Sequence, residues 1–357
     1  MSYGSQHITK QILSDLEEIN QKSKSDLLEL VNKPLVITGA SGFVGTWLTL
    51  SWVSARKKLN GSGRLLLTSR NPQSLLQLTN AIDPESPISF LSSDIRNLVI
   101  PNDFLNGNLV HAATPASATL NSSDPALMLK IIVEGQERVL GEAIRTSNRV
   151  LFLSSGAVYG RQPLDLGQLT ETWEGAPMIS DGKSAYHEGK RVAELMGNIA
   201  YEKQGLHFVT ARLFAFVAPF LPLRTHFAVG NFLRDAHTSN LIEIQSGGGS
   251  IRTYLYATDL CSSLWSLQTR GQSGRAYNVG AEEEVSIREL AHQVAATTNR
   301  NAKVVVHGVD SQETLSRYVP SIERISNELG VSHSVALEQA LMRTSTWMKE
   351  VGNENEW

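Results

Sequence analysis

From Pro34 onward, short apolar runs alternate with longer stretches in which apolar residues recur every three or four positions. The runs "LVIT" (35–38), "RLLLTS" (64–69), "ISFLSSD" (88–94), "NLVHAA" (108–113), "RVLFLSS" (149–155) and "HFVTARLF" (207–214) read as strands. Helical spacing fills most of the gaps, notably 43–59, 125–146 and 185–204. That strand–helix order predicts an α/β chain, a doubly wound parallel sheet covered by helices on both faces. After Pro219 the pattern loosens, through the glycine-rich "SGGGS" (246–250), a helix at 258–268, a strand at "AYNVG" and a helix from Ser286. These later segments predict a smaller lobe over the carboxyl ends of the strands, where open α/β sheets bind ligands. Residues 1–33 read as a helical leader packed on the outside, with Ser25 as N-cap of its second helix and Asp26 in the first turn.

Composition narrows the class. With 357 residues, 41% hydrophobic and 19% charged, the chain has ample core material for one large or two interleaved domains. A net charge of −3 without a Lys/Arg cluster offers no footprint for nucleic acid or an anionic membrane. No apolar run approaches the roughly 20 residues of a membrane span, and no signal-peptide pattern opens the chain. A cytoplasmic location is expected. One cysteine, Cys261, excludes internal disulfides and reads as a buried thiol. No His, Asp and Glu grouping has metal-ligand spacing.

Three motifs carry chemistry. The first strand runs into "TGASGFVG", with Gly39, Gly42 and Gly45 at three-residue intervals before a helix. Glycines permit a tight turn and close backbone approach, and the helix start offers N–H groups and a positive dipole end to a pyrophosphate. This context predicts a dinucleotide site that uses Ser41, Phe43 and Val44 as well. The second strand ends "TSRNP", with Arg70 where an acidic residue would bind the ribose 2′-hydroxyl of NAD. A guanidinium suits a 2′-phosphate, so NADP is favoured, with NAD the alternative. In "SAYHEGKR", Tyr186 and Lys190 are four apart and share a helix face. A free phenol titrates near pH ~10; a neighbouring ammonium and an oxidised nicotinamide would lower it toward a catalytic range. His111, His187 and Glu188 read as packed or solvated residues, and Trp47 and Trp52 as core.

In this order and spacing, "TGASGFVG", "SSD", "HAA", "SSGAVYG" and "YHEGK" resemble the extended short-chain dehydrogenase/reductase family of nucleotide-sugar epimerases, dehydratases, decarboxylases and reductases. The resemblance covers roughly residues 34–310. It implies a Rossmann domain (34–214 plus 253–280) behind the 1–33 leader, and a lobe (215–252 plus 281–357) that holds a nucleoside diphosphate sugar. It implies Ser155 as the hydroxyl that contacts the reacting sugar oxygen, Tyr186 as proton donor and acceptor, and Lys190 on the nicotinamide ribose. Asp94 with Ile95 would lie at the adenine, and Ala112, Ala113 and Thr114 beside the cofactor. Arg252 and Asn231 would grip the substrate phosphates, with Ser117 as a substrate contact or a simple cap. A homodimer through the 125–146 and 185–204 helices is expected.

Departures from that family's pattern matter as well. Ile132, Ala215 and Val217 replace an asparagine, an asparagine and a tyrosine. After Ser155, family dehydratases carry Asp-Glu, and decarboxylases usually keep the glutamate; here stand Gly156 and Ala157. Neither can move a proton through a side chain, which argues against dehydration and, more weakly, against decarboxylation. A 4-ketoreductase acting on a 4-keto-6-deoxy sugar nucleotide is the first reading. A 4-epimerase, an NDP-uronate decarboxylase and a non-catalytic dinucleotide-binding module are the alternatives.

Overall fold

The computed structural model describes residues 7–115, 117–225, 227–299 and 301–352. A seven-stranded parallel sheet is formed by β1 (Leu35–Thr38), β2 (Leu65–Ser69), β3 (Ile88–Ser92), β4 (Gly107–His111), β5 (Ser147–Ser155), β6 (Phe208–Leu213) and β11 (Ala276–Val279). Its order is β11-β6-β5-β4-β1-β2-β3. The chain builds outward from β1 to β3, then returns to add β4 on the other side. The order therefore reverses between β1 and β4, and a crevice opens at their carboxyl ends. The predicted strands are all present, with ends shifted by at most two residues. β3 is an edge strand and is only partly buried, whereas β1 and β4 are buried throughout.

Helices cover both faces, as the alternating pattern predicts: α3 (Phe43–Leu59), α4 (Leu76–Ile82), α5 (Ala118–Ser123), α6 (Pro125–Thr146), α7 (Ala185–Gln204) and α9 (Ala257–Arg270). On α3, Trp47 and Trp52 are fully buried; the Trp47 indole N–H donates to the Pro219 carbonyl at 3.0 Å, tying this helix to the chain just past residues 216–217. Cys261 on α9 is buried.

The later chain forms small ribbons and helices: α8 (Ala228–Thr238), α10 (Ile287–Thr298), α11 (Glu323–Leu329) and α12 (Leu337–Val351). β7 (Phe216–Val217) pairs with β10 (Leu255–Tyr256), and β8 (Leu241–Ile244) with β13 (Lys303–Val306). A three-stranded ribbon sets β9 (Ile251–Arg252) between β12 (Val285–Ser286) and β14 (Arg317–Tyr318).

The leader forms α1 (Lys10–Lys22) and α2 (Lys24–Leu30). Ser25 is not the cap of α2; Ser23 stands at that position without a side-chain cap bond, and Asp26 turns inward to pair with Arg270 at 2.9 Å. Only Ser23 separates α1 from α2, so the second helix begins one residue before Ser25, and Asp26 stays in its first turn as expected. Ile12, Leu16, Ile19, Leu27 and Leu30 are fully buried within the main core cluster. Each such side chain is worth about 1.5–3 kcal/mol as an upper bound, so the leader is part of the core rather than an appendage. Among the described residues no helix is long and apolar enough to cross a membrane.

Candidate active site

The glycine turn sits at the β1/β4 crevice. Gly39 has φ +66°, and a Cβ there would lie 2.6 Å from the Ala112 carbonyl oxygen; one at Gly45 would lie 2.4 Å from the Gly39 oxygen. Both glycines are thus required by backbone approaching backbone. Gly42 is the N-cap of α3, with no side chain capping the helix. The first turn, which contains Phe43, Val44 and Gly45, therefore presents its N–H groups and positive dipole end to the crevice. This is an uncapped cradle suited to a pyrophosphate, and a dinucleotide fits it.

At the end of β2 there is no carboxylate. The Ser41 hydroxyl donates to the Ser69 hydroxyl at 2.9 Å, and the exposed Arg70 follows. Asp94 accepts two bonds from the Arg96 guanidinium, at 2.8 and 2.9 Å. Those bonds hold its carboxyl down at about 2, with a smaller contribution from Arg70. Asp94 also caps the short turn Ile95–Asn97, and Ile95 packs against Gly135 of α6.

Around the β4 turn, the Ala113 N–H donates to the Thr38 hydroxyl at 3.2 Å, which contacts the buried His111 ring at 2.8 Å. Burial first, then the charge of Lys190, pushes His111 down to about 3, so it stays neutral. The Lys190 ammonium, on α7, donates to the Thr114 hydroxyl at 2.8 Å and the Leu153 carbonyl at 2.7 Å, with the Phe152 ring 4.7 Å away. Burial lowers it to about 7, against the pull of Glu194 one helical turn on.

Ser155 ends β5, and its hydroxyl accepts the Ala157 N–H at 3.1 Å. Tyr186 lies one turn before Lys190 and reaches toward Ser155. Burial raises the phenol above its ordinary value, and the Ser155 hydroxyl opposes the rise. The expected lowering is therefore not present in the protein alone. The Lys190 ammonium is directed at Thr114 and Leu153, and burial is the leading influence on Tyr186. Ser155, Tyr186 and Lys190 nevertheless converge on the mouth of the crevice.

Two neighbours escaped the sequence reading. Glu194 accepts from the Ser154 hydroxyl and pairs with Arg212 at 2.7 Å. Its position four residues after Lys190 was a readable signal. Tyr318 was not readable. It arrives from β14, packs tilted against Phe214 with centroids 4.4 Å apart, and its hydroxyl, beside Gly156, donates to the Leu213 carbonyl at 3.4 Å.

The substrate-side candidates are placed as follows. Arg252 lies on β9, directly beside Tyr318 in register, and donates to the Ser316 carbonyl at 3.1 Å and hydroxyl at 2.8 Å. Asn231, in the first turn of α8, donates to the Thr225 carbonyl and accepts from Arg234. Ser117 caps α5 by accepting the Leu120 N–H at 3.1 Å. His187 lies edge-on to the Tyr186 ring and Glu188 pairs with Arg191, both away from Lys190.

A doubly wound sheet with an uncapped glycine cradle and a Ser–Tyr–Lys set at its mouth defines a dinucleotide-dependent enzyme of the short-chain dehydrogenase/reductase type. Residues 35–280 match the NAD dependent epimerase/dehydratase family, and the chain belongs to it. It is 27% identical over 329 residues to UDP-glucuronic acid decarboxylase 1 of Arabidopsis thaliana, covering 90% of this chain and 71% of that one. The Xenopus tropicalis UDP-glucuronic acid decarboxylase 1 is 26% identical over 324 residues, covering 91% and 74%. Among solved structures, an epimerase from Methanothermobacter thermautotrophicus superposes with a TM-score of 0.76 at 22% identity, over 93% of this chain and 96% of that one. A UDP-N-acetylglucosamine 4-epimerase from Methanobrevibacter ruminantium does so at 0.77 and 17%, over 89% and 98%. Those two likenesses speak for the fold.

Proposed function

We propose that the protein is an NADPH-dependent 4-ketoreductase of a nucleoside diphosphate sugar, with a 4-keto-6-deoxy sugar as its substrate class. The observation that carries this reading is the pairing of a Ser–Tyr–Lys set with neighbours that have no acid or base side chain: Gly156 and Ala157 follow Ser155. The crevice supports addition or removal of hydride at a carbinol carbon and gives little help to elimination of water.

The glycine turn and the first turn of α3 would hold the pyrophosphate of the dinucleotide, Asp94 and Ile95 would border its adenine, and Thr114 and Lys190 its nicotinamide ribose. Arg70, with the Ser41–Ser69 hydroxyl pair, would take the 2′-phosphate of NADP. The bound cofactor supplies the hydride. Ser155 orients the keto oxygen of the sugar by hydrogen bonding, and Tyr186 gives that oxygen a proton. Lys190 holds the ribose and, once its other donors are satisfied by ligand, favours ionisation of Tyr186 after the proton has left. Arg252 would neutralise the substrate phosphates and Asn231 would donate a hydrogen bond to them, each after giving up its present partners.

A decarboxylase is the second reading, favoured by the 27% and 26% identities to UDP-glucuronic acid decarboxylases over most of this chain. One assay separates the two: nicotinamide absorbance is followed with NADPH or NADH and a panel of 4-keto-6-deoxy sugar nucleotides and nucleotide uronates. Stoichiometric oxidation of NADPH supports the reductase. Release of CO2 from a uronate without net change in absorbance would replace it.

The same reading includes a homodimer through α6 and α7. Val192, Leu195 and Ile199 on α7 and Leu129 and Ile144 on α6 are large apolar side chains left 37–59% exposed. Light scattering should give twice the chain mass, and Leu195→Glu with Ile199→Glu should halve it. A monomeric wild-type mass would remove this part.

A further inference from the structure

Glu194 joins the strand half of the candidate site to its helix half. On β5 and β6, alternate side chains face α7. Val150 and Phe152 of β5 and Phe208 of β6 share an apolar cluster with Ala193 and Ala200 of that helix. Further along the same face, Ser154 and Arg212 stand opposite one another in register. There the apolar contact gives way to a polar one. The Glu194 carboxylate, 7% exposed, accepts from the Ser154 hydroxyl and from the Arg212 guanidinium, the latter at 2.7 Å.

Arg212 also reaches the other way. It donates to the Tyr159 hydroxyl at 2.9 Å, which in turn donates to the buried Asn278 at 2.7 Å. Ser154 precedes Ser155 and Tyr159 follows it, so one ion pair grips the chain on both sides of the serine. The carboxylate itself belongs to α7, where Tyr186, Lys190 and Glu194 follow one another at four-residue spacing and share a face. A buried ion pair often gives no more stability than apolar side chains of the same size, because desolvation offsets the attraction. What it can supply is register. An apolar interface tolerates a slide of the helix, whereas a carboxylate with two directed partners does not.

We propose that Glu194, held by Arg212, is a positioning residue that sets the register of α7 on β5 and so brings Tyr186 and Lys190 to Ser155 and the dinucleotide. The Lys190 ammonium then meets the Leu153 carbonyl at 2.7 Å, on the residue next to Ser154. Helix and strand are fastened at two consecutive residues just ahead of Ser155. The inference rests on the reading above only in placing Lys190 at the dinucleotide, and it holds for any sugar and either cofactor.

The test uses the dinucleotide alone, whichever of NADPH and NADH binds tighter, so its failure is separate from a failure of the reductase reading. Fluorescence titration gives the affinity of each full-length variant, and a thermal melt gives its stability. Glu194→Gln keeps both contacts, its amide oxygen accepting from Arg212 and its N–H donating to Ser154, but removes the charge. It should melt lower and bind the cofactor as the wild type does. Glu194→Asp keeps the charge but is one methylene short of its partners. It should weaken binding about 10- to 100-fold, the worth of one hydrogen bond from a charged donor. Glu194→Met with Arg212→Met puts apolar side chains in place of the pair; it should melt at the wild-type temperature or higher and bind as weakly as Glu194→Asp. This double variant decides the matter if Glu194→Asp fails to fold. Lys190→Met should lose the same affinity, and adding Glu194→Asp to it should cost little more, because Glu194 acts through Lys190. Equal weakening by Glu194→Gln and Glu194→Asp, wild-type affinity in the double methionine variant, or losses at Glu194 and Lys190 that simply add would overturn the proposal.

Discussion

Two buried clusters of charge hold this molecule, and they are built on opposite rules. At the crevice, Lys190 is buried without a carboxylate in salt-bridge range among the described residues; its partners are a hydroxyl and a carbonyl. At the leader, charges are paired with charges. Arg343 bonds Asp15 at 3.1 Å and Glu18 at 2.6 Å, Lys22 bonds Asp259 at 2.7 Å, and the Tyr256 hydroxyl donates to Asp15 at 2.6 Å. The first arrangement leaves a cation poorly compensated, which costs stability and keeps its field available to a ligand. The second neutralises its charges and leaves nothing for a ligand to use. Burial and perturbed titration are common to both; the difference between the candidate site and a structural joint lies in who the partners are.

The largest effect should come from exchanging one cation in each cluster. Lys190→Met should lower kcat/KM by about 10²–10⁴ while leaving the melting temperature unchanged or higher, because a desolvated charge is removed. Arg343→Met should do the reverse. It leaves Asp15 and Glu18 without their shared partner, and should cost about 1–3 kcal/mol in denaturant unfolding with turnover intact. If Lys190→Met unfolds the protein and Arg343→Met abolishes turnover, the contrast between the clusters is false.

Next in size is Arg70→Ala. Loss of charge-assisted bonds to a 2′-phosphate should weaken NADPH about 10- to 100-fold and NADH hardly at all. Equal weakening of both cofactors, read by fluorescence titration, would make Arg70 a general surface cation.

The smallest effect is a pH dependence at the leader. Burial raises Asp15 from 3.8 to about 6, against the bonds from Tyr256 and Arg343. Its stabilising share is therefore complete below about pH 4 and is lost as the pH rises through about 6. Asp15→Asn cannot ionise, so the wild type should lose a few degrees of melting temperature relative to this variant between pH 4 and pH 7. A difference that stays constant across that range would show that Asp15 does not titrate there.

Much of the site was legible because it is local. The glycine turn, the serine-ended strand and the Tyr-Lys spacing each lie within eight residues of chain, and each implies its own geometry. What the sequence could not place came from non-local pairing. Thr114 was expected beside a cofactor, and the fold also makes it a partner of Lys190, 76 residues away. Tyr318 stands in "SRYVPS", a stretch with no spacing or composition signal. Only the pairing of β14 with β9, and the missing side chain at Gly156, let it lie beside Gly156.

The sequence by itself determined the doubly wound sheet, the position of the glycine cradle and the Ser–Tyr–Lys set, because hydrophobic period and turn chemistry act over a few residues. The tertiary structure alone decided three things. It made the leader part of the core, since burying Ile12, Leu16 and Ile19 needs surfaces supplied by distant helices. It decided that Tyr186 is raised and not lowered in the protein alone, because desolvation depends on everything packed around the phenol. And it brought the phenol of Tyr318 beside Gly156, a meeting of residues distant in the chain that no short-range rule encodes.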